Sequence, residues 1–345
     1  MIEKRRIKLS RNFPYMPILR QTPNSSGIWG QYHFIADEES NEDTGPFDAW
    51  VVYNNLPNQT IQMASCAPER TVLILGEPPS RVDVHPDFAS QFGKIVSCHP
   101  SITSLNSLHM QQALPWWVGL RRNGFSKFEA LMGYDELAAM TSIPKTREIS
   151  IICSSLAITP DHRLRLRFVK ELTRHFGDRL DVFGEGRKPI SDKWDAIAPF
   201  KYHIVLENSC VADYWTEKLA DAFLGAAMPI YWGCPNIGRY FSPESMAQID
   251  IANPIDAIQI IEQILAQDPY EKSKTAIWQA RRKVLDEFNL FPMLARLVDE
   301  LPYGEAKPLV IRPTGDFRPS PQMRFRRWGF LARECMARSW AKVSG

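Results

Sequence analysis

Residues 201–233, KYHIVLENSCVADYWTEKLADAFLGAAMPIYWG, constrain the fold more than any other stretch, because they read without interruption as strand, loop, helix and strand. Residues 202–206 are short, apolar and partly β-branched, the pattern of a buried strand. Glu207, Asn208 and Ser209 then set three polar groups at its carboxyl end. Asp213 or Thr216 can cap the helix that follows, since either side-chain oxygen accepts from an orphan amide of the first turn. Trp215, Leu219, Ala222, Phe223 and Ala226 recur at helical spacing and form its expected buried face. Gly225 and Pro229 mark its end, and residues 228–232 are a second strand closed by Gly233. The polar cluster of this βαβ unit falls where open α/β sheets take ligands, beyond the strand ends at a helix N-terminus.

The composition of the cluster suits a nucleoside diphosphate carrying a further group. Lys218 offers a point charge to a phosphate, and the helix N-terminus adds free amides and roughly half a unit of positive charge. Glu217 is an acceptor for sugar hydroxyls, and Tyr214 can donate a hydrogen bond or pack flat on a ring. Spacing alone equally allows a solvated first turn, in which Glu and Lys are ordinary.

ENSCVADYWTEKL followed by AMPIYWG resembles the signature of the family 10 glycosyltransferases, the α1,3/α1,4-fucosyltransferases. The resemblance rests on Glu207, Asn208, Ser209, Asp213, Tyr214, Thr216, Glu217, Lys218, Pro229 and Gly233, and is concentrated in residues 150–251. It implies an α/β fold of the GT-B type, two Rossmann-like domains facing each other across a cleft. It also implies GDP-fucose as the donor substrate, a glycan acceptor, and a site of Arg165, Tyr214, Glu217 and Lys218, with Glu207 and Asn208 holding the loop.

A chain of 345 residues is too long for one ordinary core and suits two domains. Its formal net charge of +2 gives no global attraction for polyanions, and no nucleic-acid partner is expected. The six cysteines show neither C-x-x-C nor a Cys/His metal spacing. Such dispersed cysteines suit a reducing compartment, and no metal site is expected. No run of 18 apolar residues is present. Eukaryotic members of the resembled family carry an N-terminal anchor, so the expectation here is a bacterial, cytoplasmic member acting in protein, lipopolysaccharide or other glycan synthesis.

Along the chain, residues 7–9, 47–53, 70–75 and 94–98 are expected strands, and the aromatic stretch 27–35 is either strand or acceptor-site lining. The strand ending at Leu75 runs into Gly76-Glu77-Pro78-Pro79. A carboxylate on a stiff loop at a sheet's carboxyl edge is either a surface turn residue or a positioned general base. The resemblance favours the second, since the family has a comparable segment whose Glu is the proposed base. Trp116 and Trp117 either face a sugar ring, as acceptor-binding residues, or pack inside. Residues 127–140 are expected to be helical.

Polar residues 141–147 place a domain boundary, giving an N-terminal acceptor-binding domain over 1–144 and a nucleotide-sugar domain over 145–301, whose late helices brace the first. A helix from about 160 to 176 carries four arginines. The family pattern selects Arg165, three before Phe168, for the diphosphate, with Arg163 as the alternative if the helix is offset. Residues 302–345 read as a linker and a tail. Within the tail, residues 323–342 form a basic, Trp-containing stripe that is either a peripheral membrane contact or a packed or disordered end. The expected reaction is inverting transfer of fucose to a hydroxyl of a GlcNAc- or Glc-containing glycan, most simply α1,3. Two other readings remain: a GT-B transferase using another nucleotide sugar, and a non-catalytic carbohydrate-binding or membrane-associated protein with a remnant nucleotide fold.

Overall fold

Seven short runs between residues 5 and 109 join into one sheet, whose central strands alternate two apolar sets that find cover on opposite faces. The computed structural model describes residues 4–13, 16–36, 43–122, 128–184 and 186–319. The described residues divide into two units, those within 4–115, 121–139 and 286–319 forming the first, and those within 116–120 and 140–285 the second.

In the first unit the strands are β1 (Arg5–Arg11), β2 (Ile28–Trp29), β3 (Tyr32–Ala36), β4 (Ala49–Tyr53), β6 (Thr71–Leu75), β7 (Lys94–Ser97) and β8 (Ser107–His109), while β5 (Gln62–Cys66) lies outside the sheet. The order is β2-β3-β1-β4-β6-β7-β8, parallel except for the β2–β3 hairpin. Val51, Tyr53, Val72 and Ile74 point to one face and meet Leu290, Phe291, Leu294 and Val298 of the Leu290–Asp299 helix. Trp50, Val52, Leu73 and Leu75 point to the other and meet Phe88, Phe92 and Ile311. Asn289 ties the helix to this unit: it caps Phe291, accepts from Gln21 Nε2 at 3.1 Å and donates to the Gln21 carbonyl at 2.7 Å.

Three sequence expectations change here. Residues 127–140 are not one helix. A two-stranded ribbon, β9 (Leu120–Arg122) with β10 (Phe128–Ala130), precedes a helix confined to Tyr134–Ala139. Gly133 breaks the run, since its Cα sits against the Arg20 carbonyl with no room for a side chain, and its amide is taken by Glu136 at 2.8 Å. Residues 302–345 are not linker throughout. Lys307–Ile311 (β16) pairs antiparallel with β5 and buries Ile311 against the sheet. Pro308 is tolerated because the ribbon has only two strands, leaving an edge where a missing donor costs no ladder bond. Lastly, the sequence boundaries at 144 and 301 run along the chain, whereas residues 116–120 cluster with the second unit and 286–301, among the late helices expected to brace the first domain, cluster with the first. The basic stripe 323–342 lies outside the described residues. Among those described, no helix is long and apolar enough to cross a membrane.

The second unit is a five-stranded parallel sheet of β11 (Arg147–Ile152), β12 (Leu180–Phe183), β13 (Phe200–Leu206), β14 (Met228–Trp232) and β15 (Ala247–Gln248), in the order β12-β11-β13-β14-β15. Strand order therefore reverses between β11 and β13. A doubly wound sheet leaves its ligand crevice at that reversal, outside the strands' carboxyl ends, because the connections depart to opposite faces there. The helix after β11, Pro160–Phe176, begins in a capping box. Thr159 accepts from the His162 amide at 3.1 Å and the His162 ring accepts from the Thr159 amide at 3.3 Å. Phe168, Val169, Leu172 and Phe176 bury its inner face, and Arg165 lies on that same face.

Candidate active site

A cavity of about 290 Å³ opens at this reversal point. Ser154 and Ile152 border it from the end of β11, Asn208 and Leu206 from the end of β13, Arg165 from the helix after β11, and Glu217, Lys218 and Asp221 from the Glu217–Leu224 helix. All of its lining residues belong to the second unit.

Thr216 is the N-cap of that helix, accepting from the Lys218 amide at 3.3 Å. Asp213 does not cap it. Instead it sits at φ +61° and gathers Asn236, Arg239 and Tyr240 around its carboxylate, fixing the loop that delivers the helix. Glu207 is fully buried below the helix start, accepting from the Thr216 amide at 2.8 Å, the Thr216 hydroxyl at 2.7 Å and Lys218 Nζ at 3.3 Å. Lys218 also reaches Thr216 Oγ1 at 3.0 Å and Glu217 Oε1 at 3.3 Å. Lys193 pairs with Asp221 at 3.0 Å and lies 3.8 Å from Glu217. Cations and carboxylates thus alternate along the helix face.

The charges follow from this alternation. Burial pushes the Glu217 carboxyl up, but Lys218 and Lys193 outweigh burial and hold it below the ordinary carboxylate range. Burial disfavours the Lys218 charge, and Glu217 with Glu207 more than offset that. Asp221 and Glu207 are both pushed up by burial. Arg165 differs from both lysines. It is 3% exposed, donates to the Asn208 side-chain oxygen and to Ser154 Oγ at 3.2 Å, and makes no ion pair with any described carboxylate. Its buried Nε–H has no acceptor. A buried guanidinium held by two neutral oxygens, with a donor left over, is poised for an anion.

Of the residues expected from sequence, Arg165, Asn208, Glu217 and Lys218 converge on this cavity. Glu207 and Tyr214 do not border it; both are buried, Tyr214 at 2% exposure. Arg163, the offset alternative, is exposed and donates to the carbonyls of Ala157 and Ile158. Trp116 is buried and offers no face to a sugar, whereas Trp117 is half-buried and borders this cavity. Sequence reading missed Lys193, His203 and Asp221, whose signal is spatial, since 28 residues separate Lys193 from its partner Asp221.

Glu77 belongs to the first unit. Gly76 packs against the Tyr53 ring, where a Cβ would lie 2.7 Å from a ring carbon, and its amide donates to Asn54 Oδ1 at 2.7 Å. Burial holds the His99 imidazole below its ordinary pKa, so the neutral ring donates from Nε2 to the Glu77 carbonyl at 2.8 Å. Arg81 Nε lies 3.9 Å from the Glu77 carboxylate. The Glu77 backbone is thus fixed from both sides, with its side chain half-buried. Among the described residues, no group of three or more His, Cys, Asp or Glu side chains is placed to hold a metal ion.

Residues 143–289 match the family model described as glycosyltransferase family 10 (fucosyltransferase), C-terminal part. That segment is similar to the family 10 glycosyltransferases. The matched segment contains the whole described cavity except Trp117. The chain is 32% identical over 74 residues to the α-(1,3)-fucosyltransferase FucT of Helicobacter pylori, covering 21% of this chain and 16% of that protein. It is 38% identical over 85 residues to α-(1,3)-fucosyltransferase 4 of Mus musculus, covering 23% and 19%. The aligned stretches therefore span less than a fifth of either relative. A solved α1,3-fucosyltransferase with GDP superimposes over 84% of this chain and 93% of its own, at 17% identity and a TM-score of 0.46.

Gly233, inside the matched segment, sets a limit on substitution. It closes β14 against Glu207, and a Cβ there would lie 2.4 Å from Glu207 Cγ and 2.7 Å from the Tyr231 hydroxyl. Gly233→Ala is expected to cost about 1–3 kcal/mol, read as a lowered denaturation midpoint. An unchanged midpoint would show that Glu207 relaxes freely.

Proposed function

We propose that the chain is an inverting fucosyltransferase that moves fucose from GDP-fucose to a hydroxyl of a GlcNAc- or Glc-containing glycan, α1,3 being the linkage favoured. The observation that carries the donor reading is Arg165, a buried cation with no ion pair to any described carboxylate, bordering the crevice within the segment that matches family 10. The names of the relatives favour fucose and the α1,3 linkage.

On this reading the reaction is one displacement. The acceptor oxygen forms its bond to the anomeric carbon as the bond from that carbon to the diphosphate breaks, and Glu77 takes the acceptor's proton. Negative charge grows on the leaving diphosphate, where Arg165, Lys218 and the amides at the head of the Glu217–Leu224 helix stabilise it. Those groups are held in place beforehand by Asn208, Ser154, Glu207 and Thr216, so no reorganisation is needed as charge develops. Glu217, kept ionised by two lysines, accepts from ribose or fucose hydroxyls. The enzyme on this reading works in the cytoplasm, where the basic residues 323–342 suit contact with an anionic membrane face.

The test is release of GDP from GDP-fucose, with and without GlcNAc, Galβ1,4GlcNAc and Glc as acceptors. Acceptor-dependent release with a fucosylated product is the expected result. Turnover of a UDP- or ADP-sugar in preference to GDP-fucose would overturn the donor assignment, and absence of both binding and release would overturn the enzyme reading.

A further inference from the structure

The part of the cavity away from the helix start has a chemistry of its own. Trp117 borders it, with Lys193 Nζ 5.6 Å from the centre of its ring. The strap that carries Trp117 is fixed through its backbone. Asp221 Oδ1 accepts from the amides of Trp117 at 2.9 Å and Val118 at 3.2 Å, and Asp192 accepts from Gly119 at 3.0 Å. Asp221 Oδ2 takes Lys193 at 3.0 Å, so one buried carboxylate sets the aromatic ring and the ammonium together. An ammonium has three donors, and this bond uses one of them.

His203 borders the same cavity. The Ser150 hydroxyl donates to the Ala196 carbonyl at 2.7 Å, so its oxygen has no proton left for the His203 ring at 2.8 Å. His203 Nδ1 therefore carries the proton and donates to Ser150, which leaves Nε2 a bare acceptor. The ring stays neutral, as burial and the charges of Lys193 and Lys145 push its pKa down to about 3.

We propose that Trp117, Lys193 and His203 form the base-reading end of the cavity, selecting a nucleobase whose edge sets a carbonyl oxygen beside a ring N–H, as in guanine or hypoxanthine. Trp117 gives the flat apolar surface, Lys193 donates to the carbonyl oxygen and His203 Nε2 accepts from the ring N–H. Adenine inverts this pattern, with an amino donor beside a bare ring nitrogen, and leaves both protein groups opposed. The placement follows the order of a nucleotide sugar: diphosphate at Arg165 and Lys218, ribose at Glu217, base one turn further along at Asp221. This inference rests on the donor reading above and names the residues that would read its base.

Calorimetry on the full chain separates the two. Pyrophosphate, GDP, inosine diphosphate and ADP are titrated into the wild type, Trp117→Ala, Trp117→Phe and the double variant Lys193→Met/Asp221→Asn, which keeps the Asp221 acceptor for the strap. GDP and inosine diphosphate should bind alike, and ADP about tenfold or more weaker. Trp117→Ala should lose about tenfold for GDP with pyrophosphate unmoved, Trp117→Phe should recover most of that loss, and the double variant should narrow the GDP/ADP ratio. Equal binding of ADP and GDP by the wild type, or GDP binding unchanged in Trp117→Ala, would overturn the proposal while leaving the donor reading intact. Binding of neither pyrophosphate nor any nucleotide would overturn both.

Discussion

Replacing Arg165 by glutamine is expected to lower the rate of fucosyl transfer by about 10²–10³, the loss seen when one preorganised charge-stabilising donor is removed, while the melting temperature stays level or rises. The two halves of this result come from one fact. Arg165 is buried among neutral partners, Asn208 and Ser154, and its Nε–H has no acceptor. The guanidinium therefore bears a desolvation cost that no described carboxylate offsets by an ion pair, and glutamine removes that cost. When the diphosphate departs, the same cation meets the charge that forms. Steady-state GDP release and a thermal melt on the same preparation read both halves. Activity within about threefold of wild type would sink the role given to Arg165. A large fall in stability instead would mean that the residue serves the fold.

The Glu77→Gln variant is expected to lower transfer by roughly 10²–10⁴, the range for a positioned general base, without weakening GDP-fucose binding. Donor binding should be untouched because the cavity is bordered only by second-unit side chains, and Glu77 is in the first unit. Glutamine keeps the shape and the main-chain carbonyl that His99 holds, so stability should not move. Calorimetry with GDP-fucose and turnover with acceptor distinguish the outcomes. Loss of donor affinity in step with turnover would contradict the assignment of Glu77 as base.

Much of this layout is legible in the sequence because it is local. The βαβ unit around residues 201–233 has its period, cap and stop within one stretch, and the structure realises it as β13, the Glu217–Leu224 helix and β14. Arg165 is set by its own helix face, four before Val169 and three before Phe168. What is not legible depends on partners far along the chain. A carboxylate at 221 gives no hint in sequence that it holds the amides of 117 and 118. Residues 307–311 contain a proline and look like linker until β5, over 200 residues earlier, supplies their partner strand. Gly133 alone is a weak signal, and it breaks a helix only because the Arg20 carbonyl lies against it.

The strap has a consequence for anyone dividing this chain. Cutting at the apparent boundary near residue 144, or at the edges of the matched segment 143–289, keeps Asp221 and Asp192 but discards the three strap amides that donate to them. Asp221 would keep Lys193 alone, and the excised piece would carry away the acid of a clasp without its eye. A chimaera of this chain joined at residue 143 meets the same obstacle, because residues 116–120 precede the join and yet belong to the second unit. A workable splice must transplant the five-residue strap together with the helix that holds it.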